Sequence, residues 1–286
     1  MPLIALASLD DPRLDVYRHL KATNLTRWSD LFVAEGARVA RRLLSSDYEL
    51  EHALVSEERL AEMLPHLRDD RPTYLLPHAL AKALVGYNFH TGVLACGRRR
   101  PGPDLASIVN AAGPKLVLVV CPAVNDPDNL GSIIRTGAAF GVDAVVLGRE
   151  CADPFSRRVL RVSMGSALRL PIVETRHLER ELVRLRDERH VDLVATVLDE
   201  AAEPLASAGR SGRTALVFGN EAHGLGPEWT SLCTRRVTIP MQRGADSLNV
   251  AVAAAIFLHH FQTRADNADG PAADVRPRSE TRSLTR

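Results

Sequence analysis

Residues 116–147, LVLVVCPAVNDPDNLGSIIRTGAAFGVDAVVL, decide the fold class. Residues 116–120 are a short run of branched apolar side chains, the composition of a strand buried on both faces. Asn125-Asp126-Pro127-Asp128-Asn129 reads as a turn, because Asn and Asp side chains bond their own backbone and Pro presets φ. Residues 131–140 then follow helical spacing, and 144–147 form a second apolar strand. Strand, helix and strand in close succession make a parallel unit. On this reading Gly131 allows close backbone approach at the helix start, and Arg135 follows one turn later, facing the mouth of the loop.

The alternation continues toward the C-terminus, with a helix over 178–189, strands over 193–197, 215–218 and 236–239, and a helix over 248–261. This pattern predicts an α/β fold built on a parallel sheet covered on both faces. Toward the N-terminus, a helix over 13–21, a strand over 31–34, a helix over 37–44 and a strand over 50–55 predict a small α/β domain. Between them Arg98-Arg-Arg-Pro-Gly-Pro103 suits neither a helix nor a central strand. The expected organisation is a small domain over 1–100, a linker over 101–114, a larger domain over 115–263 and a polar tail over 264–286 too poor in apolar residues to order.

With 286 residues, 45% of them apolar and 25% charged, the chain has material for two cores. Its net charge of +1 leaves any anion-binding surface to local clustering. Cys96, Cys121, Cys151 and Cys233 are scattered, with no Cys-x-x-Cys pair and no histidine at metal spacing, so neither a metal site nor a disulfide framework is expected. The longest late apolar run, 250–258, is too short for a membrane span, and the N-terminus lacks the basic leader of an export signal. A cytoplasmic protein with no membrane association is the expectation.

Two further stretches put polar or backbone-exposing residues just after a strand, where open α/β sheets gather ligand loops. The first is Phe218-Gly219-Asn220-Glu221-Ala-His-Gly224-Leu225. No Gly-Lys-Ser/Thr follows it, which disfavours a phosphate loop. The second is Ile239-Pro240-Met241, followed by Ser247-Leu248-Asn249, where Ser247 is placed to cap the helix beginning at Leu248. Taken singly, Asp128 or Asn129 is a helix cap, Glu221 a surface carboxylate, Ser247 a cap and Leu248 a core residue.

The three stretches in this order and spacing resemble the SpoU/TrmH family of RNA ribose methyltransferases in the SPOUT superfamily. The stretch from Asp153-Pro154-Phe155 through Ser163-Met164-Gly165 to Leu170-Pro171 shares the resemblance. More loosely, so do Phe32-Val-Ala-Glu35-Gly36-Ala-Arg38 and His90-Thr-Gly92-Val, which are similar to the family's substrate-binding domain. The resemblance implies a SPOUT catalytic domain with a C-terminal trefoil knot, preceded by that small α/β domain. It also implies a homodimer in which one subunit's site is completed by the other.

The resemblance implies S-adenosylmethionine as cofactor, held by Thr196, Val197, Leu198, Phe218, Gly219, Ile239, Met241, Ser247 and Leu248. It assigns the reacting centre to Asn129, Arg135, Glu221, Ser247 and Asn249, with Asn129 orienting Arg135. The reaction implied is methylation of a ribose 2′-hydroxyl in structured RNA, ribosomal RNA ahead of transfer RNA because a separate recognition domain is present. Arg27, Arg38, Arg157 and Arg161 are the arginines expected to meet RNA; 155–173 carries four arginines and no acid. Two other classes remain open: an RNA-binding protein without turnover, and a nucleotide-dependent oxidoreductase, the latter disfavoured because no Gly-x-Gly-x-x-Gly opens the first helix of the larger domain.

Overall fold

The computed structural model describes residues 2–18, 20, 30–85, 91–242 and 246–266. In the N-terminal part, β1 (Leu3–Ala5), β2 (Leu31–Glu35), β3 (Leu50–Ser56), β4 (Thr73–Leu76) and β5 (Val93–Arg98) form a sheet in the order β1-β4-β3-β5-β2. β1, β3 and β4 run parallel to one another, and β5 pairs antiparallel with both β2 and β3. Helices α1 (Ala37–Leu44), α2 (Leu60–Met63) and α3 (His78–Val85) complete this part. The helix expected over 13–21 is a 3-10 helix, Pro12–Tyr17, opened by the Asp11 cap; Lys21 lies outside the described residues.

The second sheet begins at the expected strand, but a helix that the sequence pattern does not predict precedes it. Residues 101–114, expected to be a linker, contain helix α4 (Leu105–Ala111). Asp104 caps it through Ser107 N, and Leu105 and Val109, four apart, are buried in the core under the larger sheet. That apolar pair outweighs the Pro-Gly-Pro punctuation just before it.

The larger sheet is built from β6 (Leu116–Cys121), β7 (Ala144–Leu147), β8 (Ile172–Glu174), β9 (Asp192–Thr196), β10 (Glu203–Pro204), β11 (Arg213–Val217) and β12 (Arg235–Thr238). Their order is β10-β12-β9-β11-β6-β7-β8, and every neighbouring pair is parallel. The connecting helices are α5 (Pro127–Phe140), α6 (Arg157–Val162), α7 (Leu178–Asp187), α8 (Pro227–Thr230) and α9 (Val250–Asp266). The period of two along a strand divides the core between the faces. Val117, Val119 and Cys121 pack with α5, α6 and α9, whereas Leu116, Leu118 and Val120 pack with α4 and α7.

Two helix starts differ from expectation, and both differences matter for the site. Helix α5 begins at Pro127, not Gly131, because the Asp126 carboxylate accepts from the amides of Asp128 (2.6 Å) and Asn129 (3.3 Å) and Pro127 suits the first turn. Gly131 therefore sits within the helix, where an added Cβ would come within 2.8 Å of Val162 Cβ: it serves the α5–α6 crossing, not a ligand. Helix α9 begins at Val250 and is capped by Asn249, which accepts from Ala251 N (2.9 Å) and Val252 N (3.3 Å), instead of by Ser247.

The small sheet docks on α6 and its flanks. Phe32, Tyr48 and Phe155 form a ring cluster with centroids 5.4–5.5 Å apart. Around it Arg99 pairs with buried Asp153, and Arg157 pairs with buried Glu35 at 2.5 Å. Phe155 is 7% exposed, and its ring contacts aromatic groups only from the small domain. Phe155→Ala is expected to destabilise the protein by about 3–5 kcal/mol, read as a lower urea midpoint.

Candidate functional site

The parallel strands β9, β11 and β12 end side by side, and the loops leaving them enclose a cavity of about 700 Å³. It is lined by Thr196, Val197 and Leu198 after β9, Phe218 and Gly219 after β11, Ile239 and Met241 after β12, and Ser247 and Leu248 before α9. Every residue expected to hold the cofactor is therefore in one place. Asn129, Glu221 and Asn249 line the same cavity.

A chain of hydrogen bonds ties the three loops together. Asn249 Nδ2 donates to Asn129 Oδ1 (2.8 Å), and Asn129 Nδ2 donates to Glu221 Oε1 (3.0 Å). The same Oε1 accepts from Asp126 N (3.0 Å), while Oε2 accepts from Asn125 N (3.4 Å) and Asn220 Nδ2 (3.3 Å). Four donors thus occupy the acceptor directions of one carboxylate. Because Glu221 must receive a proton donor, Asn129 can turn only its amide nitrogen toward it, and its oxygen is left for Asn249. The orientation of Asn129 is set by those two partners, and among the described residues no hydrogen bond joins it to Arg135 of the same chain.

The loop after β11 is itself a tight hairpin. Asn220 and Gly224 exchange both backbone hydrogen bonds at 2.9 Å, and Gly224 has φ +67°. An added Cβ on Gly219 would lie 2.2 Å from the Gly224 carbonyl carbon, so glycine is required there by the loop's own backbone. Asn220, missed as a site residue, locks the turn: its Oδ1 accepts from Ala222 N (2.9 Å) and His223 N (3.2 Å), and its Nδ2 donates to Ala123 O (2.9 Å). The Gly219-Asn220 pair was the available signal, since such pairs mark Asx turns. Asp199 and Arg236, an ion pair at the cavity, were also missed; a charge beside a strand end carries no pattern.

Arg135 is not among the cavity's lining residues. It lies six residues beyond Asn129 on α5, which is about 9 Å along the axis and about 120° around it. The expected one-turn separation fails because α5 starts at Pro127. Of the arginines expected to meet RNA, Arg27 lies outside the described residues, and Arg38 is exposed on α1. Arg157 is a correction: its guanidinium holds buried Glu35 and the Leu20 carbonyl (3.2 Å), so it joins the two domains and is not offered to a phosphate. Arg161, 3.9 Å from Glu35, keeps a half-exposed side chain. Arg158 pairs with Asp128 and holds that carboxyl below the usual range.

Among the described residues no group of three His, Cys, Asp or Glu is arranged to hold a metal ion, and no helix is long and apolar enough to cross a membrane.

Residues 116–259 match the SpoU rRNA Methylase family. The chain belongs to that family. It is 40% identical over 274 residues to the uncharacterized tRNA/rRNA methyltransferase Mb0905 of Mycobacterium bovis, covering 92% of each chain. It is 32% identical over 225 residues to the 23S rRNA (guanosine(2553)-2′-O)-methyltransferase RlmP of Bacillus subtilis, covering 77% of this chain and 88% of that one. The fold is shared with the AdoMet-bound rRNA methyltransferase of Sinorhizobium meliloti, at a TM-score of 0.78 and 24% identity, covering 92% and 98% of the two chains.

S-adenosylmethionine, the methyl donor of a SpoU methylase, suits the lining. Leu198 and Leu248, 63% and 36% exposed, present large apolar side chains at the cavity, the surface a flat adenine covers. The volume is within the range of small-molecule sites.

Asn249 serves both as the cap of α9 and as the donor to Asn129, and the two roles are separable. Asn249→Ala is expected to cost about 0.5–2 kcal/mol in stability. Asn249→Ser, which keeps a capping oxygen without the amide donor, should recover most of that in the same denaturant titration.

Proposed function

We propose that the protein methylates a ribose 2′-hydroxyl in structured RNA, ribosomal RNA ahead of transfer RNA, with S-adenosylmethionine as donor. The observation that carries this is the convergence of three sequence-distant loops on the Glu221–Asn129–Asn249 chain at one cavity. The 23S rRNA activity in the name of the Bacillus subtilis relative supports the ribosomal preference. The reading carries with it the family's trefoil knot, supported by the hydrogen bond that brings Asn249, beyond β12, back to Asn129. It also carries a cytoplasmic location, where the free thiols of Cys96, Cys121, Cys151 and Cys233 stay reduced.

The bound donor supplies a methyl group activated on a sulfonium. The chain's task is to align the ribose oxygen with that methyl and to manage the hydroxyl proton. Glu221, its oxygens already taken by four donors, acts as a positioning group that fixes the Asn129 amide. Ser247 and Leu248 border the cavity where the nucleotide sugar enters. A guanidinium, with a pKa above about 12, is a poor base at neutral pH. Arg135 therefore grips the phosphate beside the target ribose and stabilises the developing alkoxide, and phosphate or water takes the proton.

Arg135 reaches a cavity in a homodimer, where the arginine of one copy serves the cavity of the other. The surface for this is the outer side of α9, where Val252 and Ile256 are 49% and 39% exposed one turn apart, beside the exposed Ala138 and Ala139 of α5. On this reading a second copy covers that apolar face.

Transfer of radiolabel from S-adenosylmethionine to RNA tests the activity. Arg135→Lys should lower turnover roughly 10²-fold; near-normal turnover would rule out the need for a fork-shaped donor. Sharing between copies has its own check. Arg135→Ala and Asn129→Ala, each inactive alone, should on mixing regain about a quarter of wild-type activity, because half the dimers are mixed and each has one intact site. No recovery after subunit exchange would place Arg135 and Asn129 in a single-chain site.

A further inference from the structure

Arg38, Arg42, Arg135 and Arg169 are carried by α1, α5 and the turn after α6, elements that meet where the small sheet adjoins the larger one. Arg42 of α1 reaches across the boundary, its Nη1 donating to Met164 O (2.6 Å) and lying 3.4 Å from Ser166 Oγ. Its Cδ would stand 3.0 Å from a Cβ placed on Gly165. Arg38 is one turn earlier on the same helix, and Arg169 follows the 3-10 turn Ser166–Leu168. Arg135 comes from α5, which packs on that turn. Burial, together with the charges of Arg169, Arg38 and Arg135, pushes the Arg42 guanidinium below the usual arginine range.

The cluster stands apart from the arginines around it. Arg41 pairs with Glu62 (3.6 Å), Arg157 with Glu35 (2.5 Å), Arg158 with Asp128 and Arg99 with Asp153. Arg38, Arg135 and Arg169 are exposed and, among the described residues, have no hydrogen-bond or ion-pair partner. Arg42 has only the neutral oxygens of Met164 and Ser166. Like charges brought together without a carboxylate repel, and an anion relieves that repulsion. The turn beneath them is strained as well: Met164 (φ 54°) and Gly165 (φ 79°) are consecutive left-handed residues, and Arg42 holds the Met164 carbonyl.

We infer that Arg38, Arg42, Arg135 and Arg169 form a phosphate clamp across the domain joint, seating a phosphodiester segment of the RNA substrate. This rests on the RNA methyltransferase reading and extends it: the small domain and the methyltransferase domain grip one backbone together. A polynucleotide is the occupant because Arg135, which on the dimer reading grips the phosphate beside the target ribose in the partner copy's cavity, stands on α5 against this turn. The strand that offers its ribose for methylation is thus the strand whose phosphates the clamp neutralises. Arg42, fixed by backbone and hydroxyl oxygens, sets the geometry, and the three exposed arginines supply fork-shaped donors.

The test is RNA affinity as a function of salt for the full-length protein, with a structured ribosomal RNA fragment as probe. Arg38→Gln and Arg169→Gln should each weaken binding and flatten the log–log salt slope by roughly 0.7–0.9 per lost phosphate contact. Arg38→Lys should restore the slope, and Arg41→Gln, at a position already neutralised by Glu62, should leave it at the wild-type value. Cofactor binding and the melting temperature should not change in any of the four. Wild-type slopes for Arg38→Gln and Arg169→Gln, in a protein that still methylates RNA, would overturn the clamp and leave the activity standing. A wild-type protein that binds S-adenosylmethionine yet methylates no RNA would overturn the activity, and the clamp with it.

Discussion

The site depends on one carboxylate. Glu221 gathers two backbone amides and two side-chain amides, and through Asn129 it reaches Asn249 at the head of the last helix. These groups are solvent-accessible, so each bond contributes only about 0.5–1.5 kcal/mol net. The network is too weak to hold the fold. What it controls is orientation: it leaves the Asn129 amide one arrangement, and it aligns three loops that the sheet alone would bring only into the same neighbourhood.

The sheet supplies that neighbourhood. Because β6, β9, β11 and β12 are parallel, their carboxyl ends lie on one edge, and any loop leaving them opens toward the same space. The apolar alternation that divides the strands between two cores provides the stability. The polar residues beyond the strand ends therefore carry only a small part of the stability, such as the Asn249 cap of α9, and most are free to be chosen for chemistry.

The joint between the domains uses charge in two ways. Buried Glu35 and Asp153 are each closed by an arginine, and such pairs fix a register because breaking one strands a charge in the interior. Nearby, around the turn after α6, stand exposed arginines that have no carboxylate partner among the described residues. The sequence shows the arginines of 155–173 as one undifferentiated basic run. The partner of each comes from a segment far away in the chain, and that partner divides the structural arginines from those open to a ligand.

Strand and helix order in the larger domain was legible because branched apolar runs and helical spacing are local properties: α7, β6, β7 and β11 fall within a residue or two of where the pattern puts them, and α5 ends, though it does not start, where expected. The cavity residues were legible through the family resemblance, since they follow strand ends in a recognisable order. Helix α4 was obscured by the Pro-Gly-Pro before it, and the caps at Asp126 and Asn249 by neighbouring residues of equal capping strength.

By itself, then, the sequence determined which segments are strands and helices and that the larger sheet is parallel, because periodicity and turn chemistry act over a few residues, and its family resemblance named the loops that line the cavity. Only the tertiary structure decided that Glu221 positions Asn129, that Asn249 caps α9, that Arg157 is a joint and that Arg135 does not line the cavity of its own chain. Each of those depends on a partner or a helical phase supplied from outside the local segment.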